Sequence, residues 1–311
     1  MGLSLSALRF IIRQHLHRPL GPAVCTLGRQ RVVATYQQVL DLVREEGWAP
    51  RPLEDGQDVS TNIPSWKNGP ESKNTSDVVF FGLLGIDTLT TLDVSDYEAA
   101  DIIWDLNKPI PTELIGRFDT VIDSGTIEHV HDVHQAIRNI NLLTRPGGTV
   151  MHFAPTSNYI DHGYHQLSPI FFVDYYAANR FERCDAWLFE HIRPFATLEK
   201  WNLYRHEYGL PMAPWGWLWS SKAWMTAVVA YKGEDSTVDK VPIQGGVVLP
   251  WASNRPVAAG GRTRLFSSVR RRLEPLARRS TFLWKCAVTG SVVMHYIIRR
   301  RATRHAYVGK L

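Results

Sequence analysis

The sequence has few cysteines and no long apolar segment. Cys25, Cys184 and Cys286 lie far apart, which excludes a disulfide framework and any CxxC zinc or redox motif and is typical of a reducing compartment. The longest apolar stretch, 286–298, has thirteen residues, whereas a helix that spans a bilayer needs about 20. No secretory cleavage signal follows the first apolar run. We therefore expect a cytoplasmic protein without a membrane-spanning helix.

Basic charge is scarce in most of the chain and concentrated at its end. Among 311 residues, 44% are apolar and 21% charged, which allows a sizeable core and excludes a wholly disordered chain. Residues 262–311 carry thirteen Lys or Arg and one acidic residue, whereas residues 1–261 carry 22 basic and 29 acidic side chains. Because the folded part is acidic, the pattern argues against a nucleic-acid-binding body and indicates an appended segment that binds an anionic partner.

Strand-like and helix-like segments alternate from residue 23 to residue 232. This alternation predicts an α/β fold with a doubly wound sheet of largely parallel strands. The runs at 181–192 and 221–231 predict a terminal antiparallel pair. Residues 47–76 lack periodicity and predict a long loop.

Four segments follow from these patterns. An amphipathic N-terminal helix covers 1–22 and either packs on the body or rests on a surface. The α/β domain covers 23–232, a linker covers 233–261, and a helical, basic, amphipathic extension covers 262–311.

Three aspartates follow successive predicted strands. Asp93 closes TLTTLD, Asp105 closes IIWD and Asp123 closes FDTVID. Because ligands of open α/β sheets bind beyond the carboxyl ends of the strands, these side chains are candidates for nucleoside recognition. Aspartate also favours turns, which is the structural alternative for each of them.

The second half of the α/β segment resembles a known family. The runs FDTVIDSGTIEHVHDVHQAIRNINLLTRPGG, TVMHFAP and HGYHQLSPIFF, with LDVSDYEAADIIWDLNKPIP upstream, resemble class I S-adenosylmethionine-dependent methyltransferases over roughly residues 23–232. The resemblance implies a Rossmann-like doubly wound sheet, S-adenosylmethionine as cofactor and methyl transfer as the activity.

The resemblance also implies a cofactor site. It assigns Asp93 to the ribose and Asp105 with Leu106 to the adenine. It assigns three consecutive residues to the methionine part of the cofactor: Asp123, Ser124 and Gly125. One departure concerns the turn after the first strand, where CTLGRQ offers a single glycine, Gly28, in place of a glycine-rich loop.

Three residues are candidates for general acid–base catalysis on the methyl acceptor. His162 and His165 follow the fifth predicted strand, and imidazole titrates near neutral pH. Glu128 opens the segment after the fourth strand, where a carboxylate also suits a helix N-terminus. The alternative for each is a structural hydrogen bond.

A metal-dependent hydrolase is a competing interpretation of the histidine-rich region. His129, His131, Asp132 and His134 nearly match an HxHxDH string, which a histidine such as His152 or His162 could complete. The acidic residue stands one place early, so we predict no metal ligands.

Aromatic residues form a further cluster, which favours a packed cap or an aromatic wall over an acceptor. Its members are Trp201, Trp215, Trp217, Trp219 and Trp224. We predict methyl transfer to a hydroxyl, amine or carboxyl group of a small molecule or glycan. The alternative is a non-catalytic scaffold of the same fold at a membrane surface or in a complex.

The basic extension suits an anionic membrane surface, an acidic partner protein or nonspecific nucleic-acid binding, in that order of preference. A location at the inner face of the membrane follows from the first of these.

Overall fold

The computed structural model describes residues 2–61, 63, 73–191, 200–206, 221–244 and 307–311. The helices are α1 (Leu5–His17), α2 (Tyr36–Glu45), α3 (Asp77–Leu83), α4 (Val133–Leu143) and α5 (Pro169–Ala178). The strands are β1 (Ala23–Leu27), β2 (Thr88–Asp93), β3 (Ile102–Ile103), β4 (Phe118–Ser124), β5 (Thr144–Ser157), β6 (Arg183–His191), β7 (Trp201–His206), β8 (Trp224–Tyr231) and β9 (Tyr307–Lys310). Two short 3-10 turns occupy Thr112–Leu114 and Ile127–His129.

The strands form one mixed sheet in the order β3-β2-β1-β4-β5-β8-β6-β7-β9. The first five strands in this order are mutually parallel. Strand β8 runs antiparallel between β5 and β6, and β7 runs antiparallel to β6. The sheet therefore has a parallel core with an antiparallel half, and β6 and β8 form the predicted antiparallel pair.

Both faces of the sheet are buried beneath helices. Along β1, Val24 packs in a core with α1, α2 and α3, whereas its neighbour Cys25 packs in a second core with α4 and α5. Strand β4 repeats this division at Ile122 and Val121. Because successive residues of a strand point to opposite faces, each face of the sheet packs against its own layer of helices. This is the doubly wound arrangement that the alternation of strands and helices in the sequence predicted.

Local capping signals in the sequence correspond to the observed helix starts. Thr35 and Gln38 form a reciprocal capping box at α2, and the Ser76 hydroxyl accepts a hydrogen bond from the backbone of α3. Asp132 caps α4 in the same way. These side chains satisfy backbone N–H groups that the first helical turn leaves unpaired.

Several predicted boundaries differ from the structure. Strand β3 has only two residues, Ile102 and Ile103, so the rest of IIWDL lies outside a strand. Strand β5 begins at Thr144, directly after α4, and the glycines of the PGG turn lie within it. Strands β7 and β9 were not predicted. In the described part of 47–76, the loop carries one bridge, between Ser60 and Thr75, before α3 begins.

Helix α1 packs on the body, which selects one of the two alternatives predicted for it. Leu8, Ile11 and Ile12 are fully buried in the first core. Arg9 and Arg13 both form ion pairs with Glu46 at the end of α2. The apolar face and the charged edge of α1 are therefore both occupied by α2 and the sheet.

Most of the basic extension, including residues 262–306, lies outside the described residues. Its last residues contribute β9, and the Leu311 carbonyl accepts a hydrogen bond from the Ser6 hydroxyl of α1. No helix within the described ranges is long and apolar enough to cross a membrane.

Candidate active site

The turn after β1 brings Gly28 against Asp93. Gly28 has φ +74° and donates its backbone N–H to the Leu92 carbonyl at 2.8 Å. A Cβ at this position would lie 3.3 Å from Asp93 Oδ2. The Gln30 side chain donates to the carbonyls of Leu27 and Gly28 at 3.0 and 3.1 Å. The Gln30 side chain therefore stabilises this turn, which the family resemblance implies to be glycine-rich.

Arg29 is a site residue that the sequence reasoning missed. Its side chain is only 7% exposed and lies 3.8 Å from Asp77 and 3.6 Å from Asp101. It also donates to the Ala99 carbonyl at 2.7 Å. Arg29 thus ties the β1 turn to the loop after β2. No motif marks it, because its partners come from distant segments.

Asp93 ends β2 as a partly exposed carboxylate, and its Oδ1 accepts the Ser95 backbone N–H at 3.2 Å. Burial and the negative charge of Asp93 raise the pKa of Glu98 in the same loop. Val94 and Tyr97 are strongly exposed beside it. A partly exposed carboxylate next to a glycine and apolar side chains fits the ribose of a nucleoside.

Asp105 lies in a turn beyond β3 and does not close a strand, which corrects the prediction. Its Oδ1 accepts hydrogen bonds from the side chain and backbone of Asn107 at 2.8 and 3.0 Å. The Asn107 side-chain bond and the Asn107 backbone bond hold the pKa of Asp105 below its usual value. Leu106 is buried, and its carbonyl accepts from the Asn139 side chain.

Asp123 points into the core. It is fully buried, its Oδ1 accepts the backbone N–H groups of Thr126 and Ile127 at 3.1 Å, and its Oδ2 lies 2.8 Å from His152 Nδ1. The other nitrogen of His152 lies 2.6 Å from the Tyr176 hydroxyl. The Asp123 carboxylate thus anchors the turn, so any contact of Asp123 with the methionine part of the cofactor would come from its backbone.

The two residues after Asp123 complete the turn. Ser124 is buried, and Gly125 has φ +84° and donates its N–H to the Phe153 carbonyl at 3.0 Å. The Thr126 hydroxyl donates to the Leu27 carbonyl at 2.9 Å. The turns after β1 and β4 are therefore linked, so a ligand that contacts one of them lies close to the other.

Glu128 follows this turn and is fully buried. Neither carboxylate oxygen has a hydrogen-bond partner among the described residues. Its Oε1 lies 3.7 Å from His162 Nε2 and 3.9 Å from His129 Nε2. Burial, together with the negative charge of Asp123, raises the pKa of Glu128 to about 8. Burial also lowers the pKa values of both histidines.

The loop after β5 lies directly on Glu128. The backbone N–H groups of Tyr164 and His165 donate to the Glu128 carbonyl at 2.8 and 3.2 Å. A Cβ at Gly163 would lie 2.9 Å from that same carbonyl, so a larger residue would displace the loop. The close approach at Gly163 is what carries His162 to Glu128.

The structure separates the two histidines that were both predicted as bases. His162 lies beside Glu128. His165 instead places its Nε2 3.2 Å from the His131 carbonyl. His165 therefore holds the loop against the segment before α4, which is the structural alternative stated for it.

The ligand set of the competing hydrolase interpretation assembles only in part. His129 and His162 lie close together, with ring centroids 5.2 Å apart, whereas Asp132, His152 and His131 are engaged elsewhere. Asp132 accepts the Gln135 backbone N–H as the cap of α4. His152 is bonded to Asp123 and Tyr176, and the His131 ring packs against Tyr164.

Two of the five clustered tryptophans are described, and both are packing residues. Trp201 and Trp224 are 3% and 5% exposed, and the Trp201 ring stacks on Phe189 with centroids 3.9 Å apart. Trp215, Trp217 and Trp219 lie outside the described residues.

The structure is an α/β protein whose candidate site residues lie near the carboxyl ends of the parallel strands. Residues 33–213, more than half of the chain, match the family model described as "Methyltransferase domain". The chain belongs to this family, which confirms the resemblance to methyltransferases. The match includes Asp93, Glu128 and His162 but begins after Gly28.

A comparison with solved structures finds matches that are distant in sequence. A SAM-dependent methyltransferase from Archaeoglobus fulgidus is 11% identical, with a TM-score of 0.37, and the match covers 74% of this chain and 95% of that one. The Burkholderia thailandensis 1,6-didemethyltoxoflavin-N1-methyltransferase is 12% identical with a TM-score of 0.33, covering 73% and 78%.

The CMeT domain of the citrinin polyketide synthase is 13% identical with a TM-score of 0.37. The match covers 74% of this chain and 52% of the CMeT domain, so this chain spans about half the length of that domain. No curated protein sequence matches the chain. At these sequence identities and TM-scores, the comparison with solved structures assigns no role to individual residues and no substrate.

Proposed function

We propose that the chain transfers the methyl group of S-adenosylmethionine to a hydroxyl, amine or carboxyl group of a small molecule. The observation that carries this proposal is the arrangement at the carboxyl edge of the sheet. Gly28 and Asp93 form one side, Glu128 and His162 form the other, and the Thr126–Leu27 hydrogen bond joins the two turns.

The residues on the first side fit the cofactor. The Asp93 carboxylate would accept hydrogen bonds from the ribose hydroxyls. Because Gly28 has no side chain, the backbone of its turn can approach the cofactor closely. The backbone of 123–125 would contact the methionine part, since the Asp123 side chain is engaged in the core. Leu106 and Asp105 remain proposed for the adenine, with Asp105 acting through its turn. When bound, the cofactor supplies an electrophilic methyl group on a sulfonium.

The residues on the second side fit an acceptor. Methyl transfer is an in-line displacement, so the protein contributes mainly alignment and, for a protonated acceptor, a group that takes up its proton. Glu128 and His162 are the groups we propose to hold that acceptor, while His165 positions the loop. Ile160 and Tyr164 are 83% and 70% exposed on the same loop, which supports an acceptor with an apolar or aromatic part.

A glycan acceptor has less support than a small molecule. An aromatic wall over the acceptor was one of the two predictions for the tryptophan cluster, and the two described members are buried. Binding of the basic extension to an anionic membrane or an acidic partner, and a location at the membrane, remain predictions.

Transfer of a labelled methyl group tests the proposed function. The purified chain is incubated with methyl-labelled S-adenosylmethionine and panels of small hydroxyl, amine and carboxyl compounds. We expect label in one acceptor class, and we expect Glu128→Gln to lower the rate by about 10²- to 10⁴-fold, the range of a positioned acid–base group. The His134→Ala variant serves as the control. Full activity of Glu128→Gln would contradict the assignment of the acceptor side.

Substitution of Gly28 tests the cofactor side. We expect Gly28→Ala to weaken S-adenosylmethionine binding by at least about 10-fold, because the new methyl group contacts Asp93 Oδ2 and alanine is strained at φ +74°. Gly56→Ala is a matched control, since Gly56 has φ +80° and nothing within 4 Å of the added Cβ. Calorimetric titration of both variants with S-adenosylmethionine separates crowding at the site from the backbone strain of alanine at positive φ. An equal loss of cofactor affinity in the two variants would contradict the prediction.

A further inference from the structure

We propose that Glu128, His129 and His162 form a binding site for a divalent transition-metal ion of the Zn²⁺ type. The site would present open coordination positions to the methyl acceptor. This role in holding the acceptor rests on the proposed function, whereas the metal binding itself does not. The sequence predicted no metal ligands, because Asp132 stands one place early in the histidine string, and it did not indicate that Glu128 lies beside His162.

The three side chains converge on one point. One ligand atom from each of Glu128, His129 and His162 lies within 4.8 Å of the other two. The pairs that include Glu128 Oε1 are separated by 3.7 and 3.9 Å. Bonds of about 2.0–2.2 Å to zinc place two ligands of one ion at most about 4.4 Å apart. Small rotations of the partly exposed histidines suffice to meet that limit.

The burial of Glu128 points to a missing partner. Its carboxylate is fully buried and both oxygens lack a hydrogen-bond partner among the described residues, as does the buried Nε2 of His162. A buried polar group without a partner costs about 1–3 kcal/mol, so native proteins rarely retain one without a use. A metal ion would satisfy these atoms together.

The local charge favours a cation. The ion-pair partners of Glu128 within the described ranges are the two histidines, with no lysine or arginine among them. The carboxylate of Asp123 lies close enough to act on Glu128 electrostatically. A positive ion that displaces the Glu128 proton is therefore attracted by two carboxylates, and no lysine or arginine among the ion-pair partners of Glu128 in the described ranges competes with it.

The donor set selects the class of ion. Two imidazole nitrogens and one carboxylate oxygen suit zinc and other first-row transition metals, whereas Mg²⁺ and Ca²⁺ prefer oxygen ligands only. Three protein ligands are the number found in catalytic zinc sites, which keep a position open for water or substrate. At that position an ion would orient the acceptor and polarise its oxygen or nitrogen.

The test is a calorimetric titration of the chelator-treated full chain with Zn²⁺ and, separately, with Mg²⁺. We expect one tight Zn²⁺ site per chain and at least about 10-fold weaker binding of Mg²⁺. Glu128→Gln and His162→Ala are each expected to weaken Zn²⁺ binding at least about 10-fold, while His134→Ala binds as the wild type does. Co²⁺ in place of Zn²⁺ should give visible absorption bands that both site variants lose.

The outcomes separate the metal site from the proposed function. Equal Zn²⁺ affinity in Glu128→Gln and His134→Ala, or no tight site in the wild type, would overturn the metal proposal. Urea unfolding of each variant establishes that it is folded, and Glu128→Gln preserves the shape of the buried side chain. Asp93→Ala should keep the Zn²⁺ site and lose S-adenosylmethionine, so Zn²⁺ binding without cofactor binding would count against the function alone.

Discussion

Replacing Asp93 by alanine is expected to weaken S-adenosylmethionine binding by about 100-fold. A hydrogen bond to a charged group contributes about 1.5–3 kcal/mol, and a tenfold change in affinity corresponds to about 1.4 kcal/mol. Asp93 ends β2 as a partly exposed carboxylate beside Gly28. Its removal leaves the ribose hydroxyls without their acceptor while the strand itself, paired with β1 and β3, stays in place.

The matched control for this substitution lies three residues further on. Asp96 is exposed in the same loop and has the same charge, so Asp96→Ala reports any general electrostatic effect on binding. Asp93→Asn keeps one carbonyl oxygen and should retain part of the affinity. Equal affinities of the Asp93→Ala and Asp96→Ala variants, measured by calorimetry, would show that Asp93 does not contact the cofactor.

Replacing Asp123 by alanine is expected to lower the free energy of unfolding by about 3–5 kcal/mol, because the substitution removes a buried carboxylate whose oxygens are all hydrogen-bonded. The substitution leaves three buried donors without their acceptor: the N–H groups of Thr126 and Ile127, and Nδ1 of His152. Each buried unpaired group costs about 1–3 kcal/mol, which is consistent with a loss of this size. Urea denaturation measures the change.

The Asp123→Asn variant shows whether the stability loss of Asp123→Ala comes from the missing hydrogen bonds or from the missing side-chain volume. Asp123→Asn keeps an oxygen for the Thr126 and Ile127 backbone, and its amide can donate to His152 Nδ1 if the imidazole proton moves to Nε2 and faces Tyr176. We expect a loss of only about 1–2 kcal/mol, because most of the hydrogen bonds are kept. A loss for asparagine as large as that for alanine would contradict this account of the network.

Much of the fold could be predicted from the sequence because its signals are local. Thr35, Ser76 and Asp132 start helices through hydrogen bonds to backbone three residues away, so their spacing alone is informative. Short apolar runs in the sequence indicated β1, β4 and the core of β5. Strands β7 and β9 were missed because they are short and partly polar, so neither carries a clear apolar pattern.

The candidate site was only partly predictable. Gly28 and Asp93 were named separately, and the structure brings them together. Asp123 was correctly placed at the carboxyl end of β4, but the direction of its side chain depends on His152 and Tyr176, which come from other elements. Sequence spacing cannot reveal such a partner, because a strand-end aspartate has the same pattern whether it faces solvent or the core.

The acceptor side shows the same limit. Glu128 and His162 were both candidates, and their proximity of 3.7 Å depends on the close approach of Gly163 to the Glu128 backbone. His165 was given equal weight with His162, because residues three apart in a loop cannot be ranked without the loop's path. Arg29 had no signal at all, since its acidic partners lie far from it in the chain.

Hydrogen–deuterium exchange with and without S-adenosylmethionine tests most directly whether the cofactor lies across the carboxyl ends of the parallel strands. At a saturating cofactor concentration, the account predicts slower amide exchange in residues 27–30, 93–99 and 123–129, with no change in α1. Slower exchange confined to other segments, or no change in these three, would contradict the placement of the site.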